Sequence, residues 1–483
     1  MQPHLRLHLD LDSSRPLGAA EIATAIGKGV VQLPYADGAR LPPVRVLAHQ
    51  LGVSKNTIAA AYDELVARGI IASEERRGFF LAGPPDRAVE SPEWNVAPPR
   101  VRPATLAELP SPRGTRGKRD GVIHLNNVFV DPDLLPRERI ADCLRSVLRA
   151  PGIHTFYDAQ GHLPLRMAIA KRLQARGIPA RAEHVIITTG SQQALDIVCR
   201  ALQRRSIATE NPAYAIGKRL FEMNGVETVG LPFDPFTGID LQRWKDMLSM
   251  ARPSLLYLTS SFQNPTGYSY STHELSSIVQ LASELGFGIL EDDWGSDMLS
   301  FSEFRPPLRS LGGEGVLYMN SFTKKLLPSL RIGFLLANDA CLDSLIEAKR
   351  VATLANPTLI EAALAEFLDR GYFDAHLKAM QEELDRRYSA CLEILRHTMP
   401  EGVRWTTPGG GPLLWLELPR SVDLSALRER LAQGGVAVLS SEESFFGAPH
   451  LHGFRIGYAY PKTAELERGL RTVAAEIQRQ LAR

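Results

Sequence analysis

Apolar residues recur at helical spacing in three successive stretches near the start of the chain. Ile22, Ile26 and Val30 form one stripe, Val44, Leu47, Ala48 and Leu51 a second, and Ile58, Tyr62, Leu65 and Val66 a third. Each predicts an amphipathic helix, and three such faces can cover one another. The period then changes: residues 70–81 read Ile-Ile-Ala-Ser-Glu-Glu-Arg-Arg-Gly-Phe-Phe-Leu, two short strands around a charged turn. Beyond residue 121, short apolar runs at 185–189, 255–259 and 288–291 alternate with longer helix-period segments at 163–176, 192–204 and 273–285. That alternation predicts an α/β domain built on a mostly parallel sheet.

Between the two patterned regions lie 39 residues, 83–121, with eight prolines, four glycines and no apolar period. They read as a linker. A flexible chain of this length reaches roughly 35 Å end to end, and prolines stiffen and extend it. The expected organisation is therefore a small helical domain at 1–82, the linker at 83–121 and a large domain at 122–483.

At 483 residues the chain can bury a large core, and 44% apolar with 23% charged residues excludes wholesale disorder. The net charge of +1 leaves no global field to attract nucleic acid, so any such site must be local. One local run is basic: Arg100, Arg102, Arg113, Arg116, Lys118 and Arg119 stand against Glu108, and either solvation or contact with DNA phosphates accounts for it. Cys143, Cys199, Cys341 and Cys391 include no C-x-x-C pair, which argues against a zinc ribbon and against a secreted disulfide scaffold. The first residues lack a signal-peptide pattern, and no apolar run approaches the roughly 18 residues of a membrane helix. A soluble, cytoplasmic protein with no membrane partner is expected, on the nucleoid when bound to DNA.

Leu51-Gly52-Val53-Ser54, between the second and third stripes, is a short turn of the kind that joins the crossed helices of a helix-turn-helix. Ser54 suits the N-cap of the third helix, and Val53 can staple onto Ile58. The helix opens with Lys55, Asn56 and Thr57 at the end that enters a major groove. Asn56 can pair with adenine, and Lys55 can meet guanine or a phosphate. In the strand pair that follows, Arg76 and Arg77 sit at the tip of a wing, beside the conformationally free Gly78. The segment from Ala39 to Ala82 resembles the winged helix-turn-helix of the GntR family over nearly its whole length. That resemblance implies promoter DNA as a partner and places Arg45, in Leu41-Pro42-Pro43-Val44-Arg45, among the residues that hold it.

In the large domain, separated segments make sense together around an aldehyde-bearing pyridine with a phosphate tail. Ser321-Phe322-Thr323-Lys324-Lys325 follows an apolar strand and offers an amine. Lys324 is the choice, although two adjacent lysines leave the chemistry open between them. Arg331 with the hydroxyls of Ser321 and Thr323 can bind phosphate. Gly190-Ser191-Gln192 runs from a strand into a helix and aims free backbone N–H groups at an anion. Glu291-Asp292-Asp293-Trp294, at a strand end, offers a carboxylate that can face the pyridine nitrogen. No His or Cys cluster accompanies these acids, so no metal is expected. Asn264, in Asn264-Pro265-Thr266-Gly267, can donate to the phenolic oxygen, and Tyr214 can cover a ring face; a turn and a core residue are the plainer readings of these two.

Taken together, these residues resemble the fold-type I pyridoxal phosphate enzymes of the aspartate aminotransferase superfamily from about Ile123 onward. By that resemblance Asp292 pairs with the ring nitrogen, Lys324 forms the internal aldimine and Arg331 holds the phosphate. The register of Pro328 and Arg331 selects Lys324 over Lys325. Tyr157 resembles the tyrosine that reaches the phosphate from a partner subunit, and Arg455 the arginine that clamps a substrate carboxylate. Trp294 stands where that family carries a tyrosine on the phenolic oxygen. An indole N–H donates but does not accept, which bears on transaminase competence.

The order of winged helix, Pro-rich linker and aminotransferase-like domain resembles the MocR/GabR family of bacterial transcription regulators across the chain. It implies a regulator that senses pyridoxal 5'-phosphate or an amino compound exchanging onto Lys324 as an external aldimine. It also implies a head-to-tail, domain-swapped homodimer. The alternative is an active aminotransferase with a fused regulatory module. Effector, operator and the choice between activation and repression stay open.

Overall fold

The computed structural model describes residues 5, 7, 9, 11, 17–31, 39–74, 77–82, 121–151, 157–298 and 305–482. The chain divides into two units, residues 1–113 and 114–483. Most of the expected linker, 83–120, lies outside the described residues, as does Arg76.

In the first unit the three apolar stripes become helices α1 (Ala19–Val31), α2 (Val44–Leu51) and α3 (Lys55–Ala67). Ile22, Ile26, Leu47, Ala48, Ile58, Tyr62 and Leu65 are buried against one another. Val66 is exposed, which corrects its place in the third stripe: one step past Leu65 turns a side chain about 100° around the axis, away from the shared face. Gly52, at φ 64°, ends α2 with its N–H directed to the carbonyls of Ala48 and His49. The Tyr62 hydroxyl donates to the Pro42 carbonyl at 2.8 Å and ties α3 to the segment before α2. β1 (Ile71–Glu74) and β2 (Gly78–Leu81) pair antiparallel as the wing. Leu5, Leu7, Leu9 and Leu11 also pack on this core, and the Leu5 N–H donates to the Arg40 carbonyl at 2.8 Å. Those alternating leucines are a strand-period signal that the three helical stripes overshadow.

The second unit opens with the two-residue strand β3 (Ile123–His124) and then builds its main sheet from β4 (Val185–Thr188), β5 (Ser206–Asn211), β6 (Glu227–Asp234), β7 (Gly238–Ile239), β8 (Leu255–Leu258), β9 (Gly288–Asp292), β10 (Val316–Ser321) and β11 (Gly333–Leu336). Their order across the sheet is β4-β11-β10-β9-β8-β5-β6-β7. Neighbours from β10 to β6 are parallel, β11 runs antiparallel to both its neighbours, and β7 is antiparallel to β6. Strand β9 is buried from Ile289 to Asp292, as expected of a strand covered on both faces by helices. A smaller subdomain places the antiparallel strands Arg404–Trp405, Leu413–Glu417 and Gly453–Gly457 with the helices Leu424–Gln433 and Thr463–Leu481. No helix among the described residues is long and apolar enough to cross a membrane.

Candidate functional site

The carboxyl ends of parallel strands and the loops that leave them are where open α/β sheets bind ligands. Four of the predicted segments meet there. Asp292 ends β9, Lys324 follows β10, Asn264 lies in the loop after β8, and Gly190 stands between β4 and the helix Ser191–Ala201. Asp292 lies opposite Met319 in the β9–β10 register, five residues before Lys324.

The two lysines part company here. Lys325 is wholly buried, its Nζ donating to Asp297 at 2.6 Å and to the Asn320 side chain at 2.6 Å, so its charge is matched and its amine engaged. Lys324 has no such carboxylate partner. Its Nζ lies 4.0 Å from the centroid of the Phe129 ring. Burial, with the nearby cations of Arg455 and Arg331, lowers its pKa to about 7 against the opposing pull of Asp292. Near neutral pH a large fraction of Lys324 is therefore an uncharged, nucleophilic amine.

Asp292 is buried, and burial raises its pKa to about 7. Its Oδ2 accepts from the Tyr257 hydroxyl at 2.9 Å, while Oδ1 is buried with no partner. A buried, half-satisfied carboxylate fits a protonated ring nitrogen. Its neighbours serve other ends. Both oxygens of Glu291 accept from the backbone at Leu308 and Arg309, each at 2.9 Å, and Asp293 is paired with Arg176 at 3.1 Å and with the Tyr318 hydroxyl at 2.6 Å. Three consecutive acids thus have three separate partner sets, which the sequence could not apportion. Tyr257 went unrecognised in the sequence; its one trace there is a hydroxyl-bearing ring in an otherwise aliphatic strand.

The predicted cradle segment turns at Gly190, whose φ of 92° suits glycine. A Cβ there would lie 3.1 Å from Nη2 of Arg331 and 3.3 Å from the Thr323 hydroxyl, so both side chains line the same hollow as the helix start at Ser191 and Gln192. The Thr323 hydroxyl and the Gln192 side-chain oxygen are buried without partners. Arg331 donates to the Thr189 carbonyl at 2.8 Å. Ser321 is different: its hydroxyl donates to the Ile332 carbonyl at 3.3 Å and accepts from the Thr323 N–H at 3.1 Å, so it shapes the loop.

Arg455, on the strand Gly453–Gly457, is buried and enters the same space. Nη1 donates to the Asn264 side chain at 2.6 Å, Nη2 donates to the Asn126 carbonyl at 2.7 Å, and Nε has no partner. Burial lowers its pKa to about 10. Gln263 holds the Asn264 loop: its amide donates to the Pro212 carbonyl at 2.6 Å while its oxygen accepts from the Thr266 N–H at 3.1 Å and hydroxyl at 2.6 Å. Tyr214 lies two residues beyond Pro212, half-buried, with its pKa raised to about 12 by burial and then by Asp292. Trp294 packs in the apolar cluster with Phe262 and Met298, its indole N–H buried and unpartnered. Tyr157 is 71% exposed on the outside of the chain.

On the first unit, Arg45, Lys55, Asn56 and Arg77 are all exposed. The Ser54 hydroxyl caps α3, accepting from the Thr57 N–H at 3.1 Å and sharing a 2.8 Å hydrogen bond with the Thr57 hydroxyl. Arg77 pairs with Glu74 across the turn and lies over the Phe80 ring, and Gly78 takes φ 107°. No group of His, Cys, Asp and Glu side chains that could hold a metal occurs among the described residues.

A lysine whose pKa is lowered to about 7, an orphaned carboxylate oxygen and a glycine-floored hollow fit the pyridoxal phosphate domain of the aminotransferase kind that the comparisons show. The family model for aminotransferase class I and II matches residues 128–473, and that for bacterial regulatory proteins of the gntR family matches 19–81. The chain is 31% identical over 392 residues to a 2-aminoadipate transaminase of Thermus thermophilus, covering 79% of this chain and 96% of that protein. It is 31% identical over 445 residues to a probable rhizopine catabolism regulatory protein, MocR, of Rhizobium meliloti, covering 88% and 87%. The crystal structure of a multiple substrate aminotransferase from Thermococcus profundus superposes with a TM-score of 0.71 at 29% identity, covering 76% of this chain and 93% of that one. The chain belongs to the aminotransferase class I and II family, here joined to a GntR-type DNA-binding domain in the manner of MocR-type regulators, with pyridoxal phosphate as its cofactor.

Proposed function

We propose that this regulator reports the occupancy of its pyridoxal phosphate pocket to promoter DNA, and that the pocket takes a small molecule bearing both a primary amine and a carboxylate. The observation that carries this reading is the pairing of an amine near neutrality at Lys324 with the unpartnered Oδ1 of Asp292. When bound, the cofactor supplies an aldehyde carbon that captures primary amines and a pyridine ring that draws off electron density. Lys324 holds it covalently. Asp292, fixed by Tyr257, keeps a proton on the ring nitrogen, and Gly190, Ser191, Gln192, Thr323 and Arg331 receive the phosphate. Asn264 and Tyr214 would orient the ring, with Trp294 two residues beyond Asp292, and Arg455 would take the ligand carboxylate.

Arg45, Lys55, Asn56 and Arg77 address DNA, with Ser54, Thr57 and Gly78 setting the helix and wing that carry them. The working form is a head-to-tail homodimer in which Tyr157 of each copy completes the phosphate site of the other, within the cytoplasm. The domain boundaries we assign are 1–82, 83–121 and 122–483. A ligand shifts such a system only by binding one arrangement better than the other.

Operator affinity at fixed salt, with and without pyridoxal phosphate and a panel of amino compounds, tests this reading. A change on adding cofactor or amino compound is expected; unchanged affinity in every arm overturns it. Catalytic turnover is the second reading, favoured by likeness to a transaminase. Sustained conversion of an amino acid and a keto acid, with no operator binding, is its signature.

A further inference from the structure

Lys325 has a partner set of its own, and that set reaches the loop that begins at Asp292. Its Nζ donates to Asp297 at 2.6 Å and to the Asn320 side chain at 2.6 Å, and its carbonyl accepts from Nε2 of His376 at 2.6 Å. The Asn320 amide donates to the Tyr318 hydroxyl at 3.1 Å, which donates in turn to Asp293 at 2.6 Å. Asp293 also accepts from Arg176 at 3.1 Å and from the Ser296 N–H at 3.2 Å. The Asp297 carbonyl accepts from the Gln381 amide at 2.9 Å. The segment that leaves β9 after Asp292 and the segment that carries Lys324 out of β10 are thus tied at two points, Asp293 to Tyr318 and Asp297 to Lys325.

Lys324 occupies a place that has to be enforced. Burial and the cations of Arg455 and Arg331 lower its pKa to about 7 against the pull of Asp292, so a protonated Lys324 is better placed in water than here. The side chain is only half-buried, and water is within its reach. On either side of it the turn is tied down. The Phe322 N–H donates to the Ile332 carbonyl at 2.9 Å and the Thr323 N–H to the Ser321 hydroxyl at 3.1 Å, while Lys325 is fixed through both its side chain and its carbonyl.

The geometry assigns to Lys325 and Asp297 the role of a positioning pair, a brace that holds Lys324 at a fixed place relative to Asp292. What Lys324 is held toward rests on the reading of the pocket given under Proposed function. The pair carries no net charge, and the Lys324 pKa is set by burial, Arg455, Arg331 and Asp292. Removing both members together therefore acts on Lys324 through its position.

The test uses the full-length chain freed of cofactor. Labelling of Lys324 by acetic anhydride is followed across pH by mass spectrometry, since only the neutral amine reacts. Lys325→Met with Asp297→Asn removes the brace without stranding a charge, and Lys325→Gln with Asp297→Asn is a milder neutral pair that decides the matter if the first does not fold. Ile278→Ala, at a buried position in the helix Thr272–Leu285, is the control that lowers stability without touching either loop. The parent is expected to label with a midpoint near 7, the double variants about one pH unit higher, and Ile278→Ala with the parent. A midpoint within about 0.3 unit of the parent in both double variants overturns the brace. An equal shift in Ile278→Ala overturns it as well, because stability alone then moves the amine. So does a parent midpoint at the ordinary lysine value, for no shifted amine then needs holding. A parent that labels as expected yet gains no visible band with pyridoxal phosphate refutes the cofactor reading instead, and the variants still judge the brace.

Discussion

Two neighbouring lysines, chemically alike, one half-buried and one wholly buried, have opposite fates because of what faces them. Lys325 is matched by Asp297, and Lys324 is crowded by Arg455 and Arg331. Removing one member of a buried ion pair strands the other, so Lys325→Met should destabilise the chain by about 3–5 kcal/mol in urea unfolding. Lys324→Ala should leave the fold intact and abolish the visible absorbance of bound pyridoxal phosphate; a band that persists would move the covalent bond elsewhere. The pH dependence follows from the sign of the shift. Lys324 is lowered from an ordinary 10.5 to about 7, so the neutral amine accumulates as pH rises through 7. Cofactor uptake by the cofactor-free chain should accelerate up to about pH 7 and level off above it, whereas an unshifted lysine would still be gaining at pH 10. The same shift costs stability at pH 7, where the unfolded chain keeps a proton that the folded chain gives up, and that cost fades toward pH 10. Without cofactor, Lys324→Met should accordingly raise the melting temperature at pH 7 and have little effect near pH 10.

Helix α3 shows how one element serves two purposes. Its buried face, Ile58, Tyr62 and Leu65, holds the first unit together, while Lys55 and Asn56 project from its exposed start. Ser54 secures that start by capping, so Ser54→Ala should lower the stability of the first unit by about 1 kcal/mol, and Ser54→Asp should retain it, read by thermal melting. Arg45 is exposed in the first turn of α2 and is proposed to meet a phosphate. Arg45→Ala should weaken operator binding without changing sequence preference and reduce the salt dependence by about one phosphate contact. The three helices and the wing of the first unit, and in the second unit the strands and helices named from their apolar period, were legible in the sequence because that period and the capping residues lie within a few positions of one another. The alternating leucines at 5–11 were not, since four leucines matter only where there is a core to receive them.

For the whole molecule the decisive prediction concerns sharing. If Tyr157 of one copy completes the site of the other, a Tyr157→Ala chain mixed with a Lys324→Ala chain should regain one intact site per heterodimer. The visible band and its cofactor affinity should recover on mixing by refolding or co-expression; mixtures no better than their separate components would show that each chain serves its own pocket.

The residue types needed for the chemistry, their order along the chain and the division into a small helical reader and a large α/β domain were all determined by the sequence alone. Local spacing encodes such features: a turn at Gly52, a cap at Ser54, a strand end at Asp292. Partnership was decided only by the tertiary structure. Arg455 meets Asn264 and Asn126 across 191 and 329 residues of chain, Asp292 rather than Glu291 or Asp293 is left with an unpartnered oxygen, and Lys324 rather than Lys325 is left without a carboxylate. The physical reason is that burial and charge compensation depend on which distant segments pack together, and a sequence pattern reports only the neighbours along the chain.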